Sequence, residues 1–164
     1  MGMYSEADSQ IQSLIWFLYP ISAVESSIGL TSDKGIGGSF DVATGTSNGP
    51  LDIKFPEAPV NSTLKLYGKT SNAGVSVSLN PAYEGSFLLK TSNIFKPRIN
   101  EDKNVVDPSG KNRKRSLKIK KAKRKVVFGV VFWEEATEEL EEVSKPAGTV
   151  YLRTSNANVD LNLW

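Results

Sequence analysis

The stretch TSNAGVSVSL, residues 70–79, decides the fold because it joins a turn-forming tripeptide to alternating apolar and polar residues. Val75, Val77 and Leu79 alternate with small polar residues, which is typical of a β-strand with one buried face. The tripeptide recurs as Thr46-Ser47-Asn48, Thr70-Ser71-Asn72, Thr91-Ser92-Asn93 and Thr154-Ser155-Asn156. An apolar residue stands six positions before each Asn, so each copy predicts a unit of strand, corner and strand.

The third copy departs from this pattern. After Asn93 the apolar residues Phe95 and Ile99 lie one step out of register, and Pro97 stands between them. Because a slip of one residue turns a strand over, we expect this segment to bulge, twist or leave the stack.

A fifth, degenerate unit has Lys121-Ala122-Lys123 in place of the tripeptide. Leu117 precedes this corner at the usual distance, and its predicted inward residues after the corner are Val126, Phe128 and Val130. Residues 100–115 and 134–146 are then inserted loops, and residues 134–143 of the second resemble a short acidic helix.

The three residue types of the tripeptide favour a structural role. Asn tolerates the left-handed conformation, and Thr and Ser hydroxyls bond nearby backbone, so all three suit a corner. In a stack of units the Asn side chains would form a hydrogen-bonded ladder. The alternative is a regular polar row that contacts a polymer.

We therefore predict an all-β protein, a short single-stranded β-solenoid (β-helix-like) of about five rungs. The alternative is a β-sandwich built from the same units. Residues 1–30 are predicted to cap one end of the stack, either as a strand or as a short amphipathic helix over residues 8–19, and residues 31–164 to form the repeat-built domain. An exposed solenoid end would be open to self-association.

Composition narrows the chemistry. The chain has no His and no Cys, which removes the commonest general base, the usual transition-metal ligands and thiolate chemistry. We expect no catalytic residue, no metal, no cofactor and no enzymatic activity. No apolar run reaches the ~20 residues of a membrane-spanning helix. Residues 1–30 lack the features of a signal peptide, which favours the cytoplasm.

A basic run within residues 111–125 is the strongest local charge feature, although the net charge is only +2. It predicts polyanion contacts at Arg113, Lys114, Arg115, Lys118, Lys120, Lys121, Lys123, Arg124 and Lys125. Glutamates within residues 134–142 would cancel part of this charge by pairing with it. Few aromatic residues interleave with the cations, which disfavours nucleic acid as the partner. A solvated outer face of a strand is the simpler interpretation.

Two carboxylates occupy equivalent repeat positions. Asp52 and Asp160 each follow their Asn by four residues and should point outward. A carboxylate pair on one face is the arrangement that glycoside hydrolysis requires. A carbohydrate-binding or carbohydrate-cleaving β-helix is therefore an alternative function.

Several segments resemble a family of proteins common in mushroom-forming fungi that carries a domain of unknown function. They are TSNGPLDI (46–53), YEGSF (83–87), DPSGK (107–111) and GTVYLRTSN (148–156). The resemblance covers residues 39–163 and extends distantly to adhesin-type domains, whose repeats form a β-helix-like stack. It implies a fold and no established activity.

The residues and the resemblance together favour a non-enzymatic structural or interaction module. It would be adhesin-like and would present a repetitive polar β face to a protein or glycan partner. Polyanion binding through residues 111–125 is the second alternative function.

Overall fold

The structure, a computed structural model, describes residues 18–19, 23–32, 35–92, 94–134 and 148–164. Within these ranges the chain forms twelve β-strands and no helix. The strands are β1 (Leu18–Tyr19), β2 (Val24–Ser27), β3 (Ser39–Thr46), β4 (Leu51–Phe55), β5 (Thr63–Lys69), β6 (Val75–Leu79), β7 (Gly85–Lys90), β8 (Arg98–Glu101), β9 (Lys114–Lys123), β10 (Val126–Glu134), β11 (Gly148–Arg153) and β12 (Val159–Leu163).

The strands form two open sheets. One has seven strands in the order β1-β3-β5-β11-β7-β10-β9, and the other has five in the order β2-β4-β6-β12-β8. In the larger sheet the neighbouring strands β1, β3, β5, β11 and β7 pair in parallel, whereas β10 pairs antiparallel with β7 and β9. All pairs of the smaller sheet are parallel. The tripeptide corners carry the chain from the larger sheet to the smaller one.

The alternating residues of both sheets form one core between them. Apolar side chains that are fully buried include Val77, Leu79, Phe87, Leu89, Val131, Val150, Leu152, Val159, Leu161 and Leu163. Each strand in the units of the first, second and fourth tripeptides therefore buries the face that the period-two pattern predicts. The hydrophobic effect supplies the main stabilisation here, at ~25 cal/mol for each Å² of apolar surface removed from water.

The prediction of a single-stranded solenoid is wrong. In a solenoid each unit lies on its predecessor in the chain, but here β11 lies between β5 and β7, and β12 between β6 and β8. The larger sheet also mixes parallel and antiparallel pairs, and neither sheet closes. The strand order places the last unit between two neighbours in each sheet. The arrangement is sandwich-like, as in the alternative prediction.

The predicted fifth unit is also wrong. Lys121, Ala122 and Lys123 end β9, and a turn at Arg124 and Lys125 leads into β10 of the same sheet, so the segment is a hairpin and not a corner between sheets. Its inward register is shifted by one residue from the prediction.

The shift follows from the pairing of β10 with β7. Val127, Gly129 and Val131 lie opposite the inward residues of β7, so Val126, Phe128 and Val130 lie on the other face of the sheet, where Val130 is nevertheless buried. The nearly unbroken apolar run of β10 carries no period-two signal, which is why the sequence could not set its register.

The third unit stays in the stack. Ile99 of β8 lies opposite Leu161 and packs against the core. The corner before it is one residue longer than the others, and the Thr91 hydroxyl donates to the carbonyl of Phe95, four residues on. The Thr46 hydroxyl donates to Gly49, three residues on. The corner absorbs the extra residue, so the strand does not slip.

Some predictions fall outside the described residues. Asn93, residues 8–17 of the predicted amphipathic helix and residues 135–147, with most of the acidic segment, belong to this group. Leu18 and Tyr19, predicted as the end of that helix, instead form β1 on β3. Among the described residues no helix is long and apolar enough to cross a membrane.

Candidate interaction face

The threonines of the tripeptides lie inside the corners. Thr46, Thr70, Thr91 and Thr154 are all buried. The Thr154 hydroxyl donates to the carbonyl of Ala73 at 2.9 Å, and the Thr91 hydroxyl donates to that of Phe95 at 2.7 Å. These bonds satisfy corner carbonyls that the sheets leave unpaired.

The asparagines form a ladder outside the corners. Asn72 Nδ2 donates to Asn48 Oδ1 at 2.6 Å, and Asn156 Nδ2 donates to Asn72 Oδ1 at 2.7 Å. The backbone N–H of Asn156 also donates to the Ser71 carbonyl. The serines Ser47, Ser71, Ser92 and Ser155 lie beside them at the surface of the corners. Because the amides bind one another, they are poorly placed to bind a polymer.

The outer face of the five-stranded sheet is polar and of mixed charge. Asp52 and Asp160 lie two strands apart, about 10 Å at the usual strand spacing, with Ser76 between them. With Glu25 they line a shallow depression of about 270 Å³. Asp160 accepts from Arg98 Nε at 2.7 Å, so its charge is neutralised by a neighbour.

Two arginines of the basic run are turned away from solvent. Arg113 donates to Asp107 through Nε at 3.0 Å, and Nη1 lies 3.5 Å from Glu84. Arg115 faces inward over the ring of Trp133, and one of its nitrogens donates to the carbonyl of Trp164. Burial lowers the pKa of Arg115. Arg113 and Arg115 therefore make contacts within the protein, and the polyanion contacts predicted at these two residues stay a prediction.

Asp107, the partner of Arg113, has the most strongly shifted pKa among the described carboxylates. Its side chain is only 1% exposed. The hydrogen bonds from Arg113, helped by those from Ser109, hold the pKa of this carboxyl far below its usual range despite burial. The pair fastens the loop between β8 and β9.

The remaining cations of the run stay in contact with solvent. Lys114, Lys118, Lys121 and Lys123 of β9 share the outward face of the seven-stranded sheet, and Lys120 is the extra residue of a β-bulge. Arg124 and Lys125 form the hairpin tip. Because β9 is an edge strand, its lysines also protect an otherwise open edge from pairing with another chain.

The same outward face carries cations on its central strands. Lys69 of β5, Arg153 of β11 and Lys90 of β7 lie directly opposite one another, and Lys123 continues the line beyond Val126. We call these four residues the basic row. Among the described strand residues, only Asp41 and Glu134 bring negative charge to this outward face.

Three of the four residues of the basic row were not predicted from the sequence, because they are far apart in the chain. A signal was present nonetheless. Lys69, Lys90 and Arg153 each stand immediately before a Thr-Ser-Asn tripeptide. Parallel in-register pairing of equivalent repeat positions makes them neighbours.

A mainly aromatic row runs beside the basic row. It consists of Tyr67, Tyr151 and Leu88, each two residues before the cation of its strand, and Phe128, two residues after Val126 in the antiparallel strand β10. The rings of Tyr67 and Tyr151 stack at 5.2 Å with an angle of 4° between their planes. The Lys90 ammonium lies 5.3 Å from the centre of the Tyr151 ring. We call the two rows together the basic face.

The described residues contain no cluster of carboxylates suited to a metal ion. No protein-family model, no curated protein and no solved structure matches the chain. The resemblance to the fungal family therefore stays a prediction, and the basic face has to be interpreted on its own chemistry.

Proposed function

We propose that the protein is a non-enzymatic interaction module that binds an extended polyanion across the basic face. The observation that carries this proposal is the line of like charges at Lys69, Arg153 and Lys90, directly opposite one another on adjacent strands. Neighbouring strands are about 4.8 Å apart. An anionic chain lying along this line would meet one cation at each strand.

The line of cations costs stability in the isolated protein. Like charges directly opposite one another in a sheet are destabilising. Among the described residues no carboxylate lies within ion-pair distance of these three side chains. An anionic partner would relieve this repulsion, which gives the arrangement a reason that folding does not supply.

Protection of an edge does not account for the central cations. The lysines of β9 lie on an edge strand, where charge prevents pairing with another chain. The central cations Lys69, Arg153 and Lys90 lie on β5, β11 and β7. Each of these strands is already paired with a neighbour on both sides within the sheet. Their charge has no edge to protect, so a ligand is the better explanation.

The test is a titration with labelled heparin and labelled poly(dT) as two probe polyanions. The wild type should bind at least one of them, with affinity that falls as salt rises. Replacing Lys69, Lys90 and Arg153 together by Gln should weaken binding by about tenfold or more. The same variant, without ligand, should be at least as stable as the wild type in thermal unfolding, because repulsion is removed.

The matched control replaces Lys54, Lys96 and Lys103 by Gln. It makes the same change in net charge at exposed positions that lie off the basic face. Its affinity should stay near that of the wild type. Equal losses in both triple variants, or no binding by the wild type at moderate salt, would contradict the proposal.

The carbohydrate-cleaving alternative has less support. Asp160 is tied to Arg98, and Lys54 lies 3.9 Å from Asp52, so each carboxylate has a neighbouring cation. Both lie on the opposite side of the molecule from the basic face. Asp52→Asn and Asp160→Asn should therefore leave polyanion binding unchanged.

A further inference from the structure

We infer that the occupant of the basic face is a linear acidic polysaccharide, bearing uronate or sulfate groups, that lies across the strands along the basic row. This inference rests on the proposed function and narrows it to one class of ligand. Three features of the face carry it: the covered faces of the Tyr151 ring, the outward rim of the two stacked tyrosine rings and the line of the cations.

The first feature is that the ring of Tyr151 offers little platform for a nucleobase. Tyr151 has Tyr67 on one side at 5.2 Å and the Lys90 ammonium on the other at 5.3 Å, because β11 lies between β5 and β7. Both faces of the ring are thus covered. Proteins that bind single-stranded nucleic acid without sequence preference use open aromatic faces on which bases stack. The Lys118 ammonium likewise lies over the Phe132 ring, 4.8 Å from its centre.

The second feature is what the rings leave open. Two outward-pointing rings stacked on each other present their rims to solvent, and Tyr67 is 43% exposed. A phenol hydroxyl both donates and accepts hydrogen bonds, which suits the many hydroxyl groups of a sugar chain. The adjacent cations suit its carboxylate or sulfate groups, with which Arg153 can form paired hydrogen bonds.

The third feature is the geometry of the line. Parallel strands in register hold Lys69, Arg153 and Lys90 at equal steps of about 4.8 Å, and Lys123 lies two steps further. This step is close to the length of one sugar unit in an extended polysaccharide. A sheet of seven strands is also too wide to enter the grooves of double-stranded DNA, which admit a helix or a two-stranded ribbon.

The test compares four probes. Polygalacturonate, heparin and poly(dT) are used at equal concentration of charge, and neutral dextran is used at equal mass concentration. The wild type should bind at least one acidic polysaccharide about tenfold or more tightly than poly(dT), and dextran not at all. Tyr67→Phe combined with Tyr151→Phe removes both hydroxyls and keeps the stacked rings. This variant should weaken polysaccharide binding about threefold to tenfold and leave poly(dT) binding unchanged.

A control on the same face tests the path of the ligand. Lys65→Gln with Lys118→Gln removes two cations outside the basic row, of which Lys65 already lies 4.0 Å from Asp41. Lys69→Gln with Lys90→Gln removes two cations of the row. The second pair should cause the larger loss of affinity for the polysaccharide, and equal losses would overturn the path along the row.

The outcomes separate this inference from the proposed function. If poly(dT) binds as tightly as the acidic polysaccharides, the ligand class is wrong and polyanion binding stands. If no charged probe binds, polyanion binding itself fails. If the double Phe variant binds polysaccharide as the wild type does, the tyrosine contact is wrong. Equal binding of dextran would show that charge is not recognised, which overturns both.

Discussion

At the scale of single residues, the Thr and the Asn of the tripeptide have different roles on the two sides of the corner. Thr is buried and donates to corner carbonyls, whereas Asn lies outside and bonds its equivalents in neighbouring units. The inner bonds satisfy the backbone, and the outer bonds hold the units in register. One short motif thus stabilises both the turn and the stack.

Asn72 is the central member of the Asn ladder, since it donates to Asn48 and accepts from Asn156. Asn72→Ala removes both bonds and should lower the free energy of unfolding by about 1–2 kcal/mol. Asn104→Ala, at an exposed loop position, is the control and should change it by less than about 0.5 kcal/mol. Urea denaturation checks both variants, and equal effects would contradict a role for the ladder.

Asp107 gives the fold a defined pH dependence. Hydrogen bonds from Arg113 lower the pKa of this carboxyl from its usual 3.8. The ionised group therefore stabilises the folded state above about pH 4, and this contribution is lost as the pH falls towards the lower folded-state pKa. Asp107→Asn should cost about 3 kcal/mol at neutral pH, because it leaves Arg113 without its main partner.

The measurement for Asp107 is urea denaturation of the wild type and Asp107→Asn at neutral pH and at about pH 3. The difference between the two proteins should shrink as the pH falls, since the wild type loses the stabilisation that the variant lacks. A difference that is the same at both pH values would contradict the assignment. Asp102→Asn, at an exposed position of the same loop, is the control.

At the scale of elements, the β9–β10 hairpin extends the seven-stranded sheet beyond the five-stranded one. Gly129 makes this packing possible. A Cβ atom at that position would lie 2.5 Å from Cζ of Phe87 and 2.7 Å from the carbonyl oxygen of Lys118. The bulge of β9 lies directly opposite, so the hairpin has little freedom to move away.

Gly129→Ala should therefore lower the free energy of unfolding by about 1–3 kcal/mol, as expected of an overpacked core. Gly74→Ala is the matched control, since its Cβ would meet nothing closer than 3.6 Å. Chemical denaturation measures both. If Gly129→Ala is as stable as the wild type, Phe87 and the hairpin are not packed as tightly as the distances indicate.

At the scale of the whole molecule, the last unit completes the core from inside the stack. β11 and β12 each pair with a strand on both sides, and Val150, Leu152, Val159, Leu161 and Leu163 are fully buried. A solenoid loses only an end when its last unit is removed. This protein would lose the middle of both sheets.

A chain ending at residue 147 should thus fail to unfold cooperatively, and adding a peptide of residues 148–164 should restore cooperative unfolding. Near-ultraviolet circular dichroism can follow this through Trp133, which is buried and donates to the carbonyl of Pro81. A peptide of the same composition in scrambled order is the control. Cooperative unfolding of the shortened chain alone would mean that the outer units are stable without the inserted one.

The sequence by itself determined the all-β class, the strand–corner–strand unit and the inward residues of the regular units, because these depend on local alternation and turn chemistry. It did not determine the order of the units, since identical corners and similar apolar faces can stack in more than one order. The register of β10 was hidden for a related reason, because its nearly continuous apolar run has no alternation. Only the tertiary structure decided which strands are neighbours, and with them the row formed by Lys69, Arg153 and Lys90.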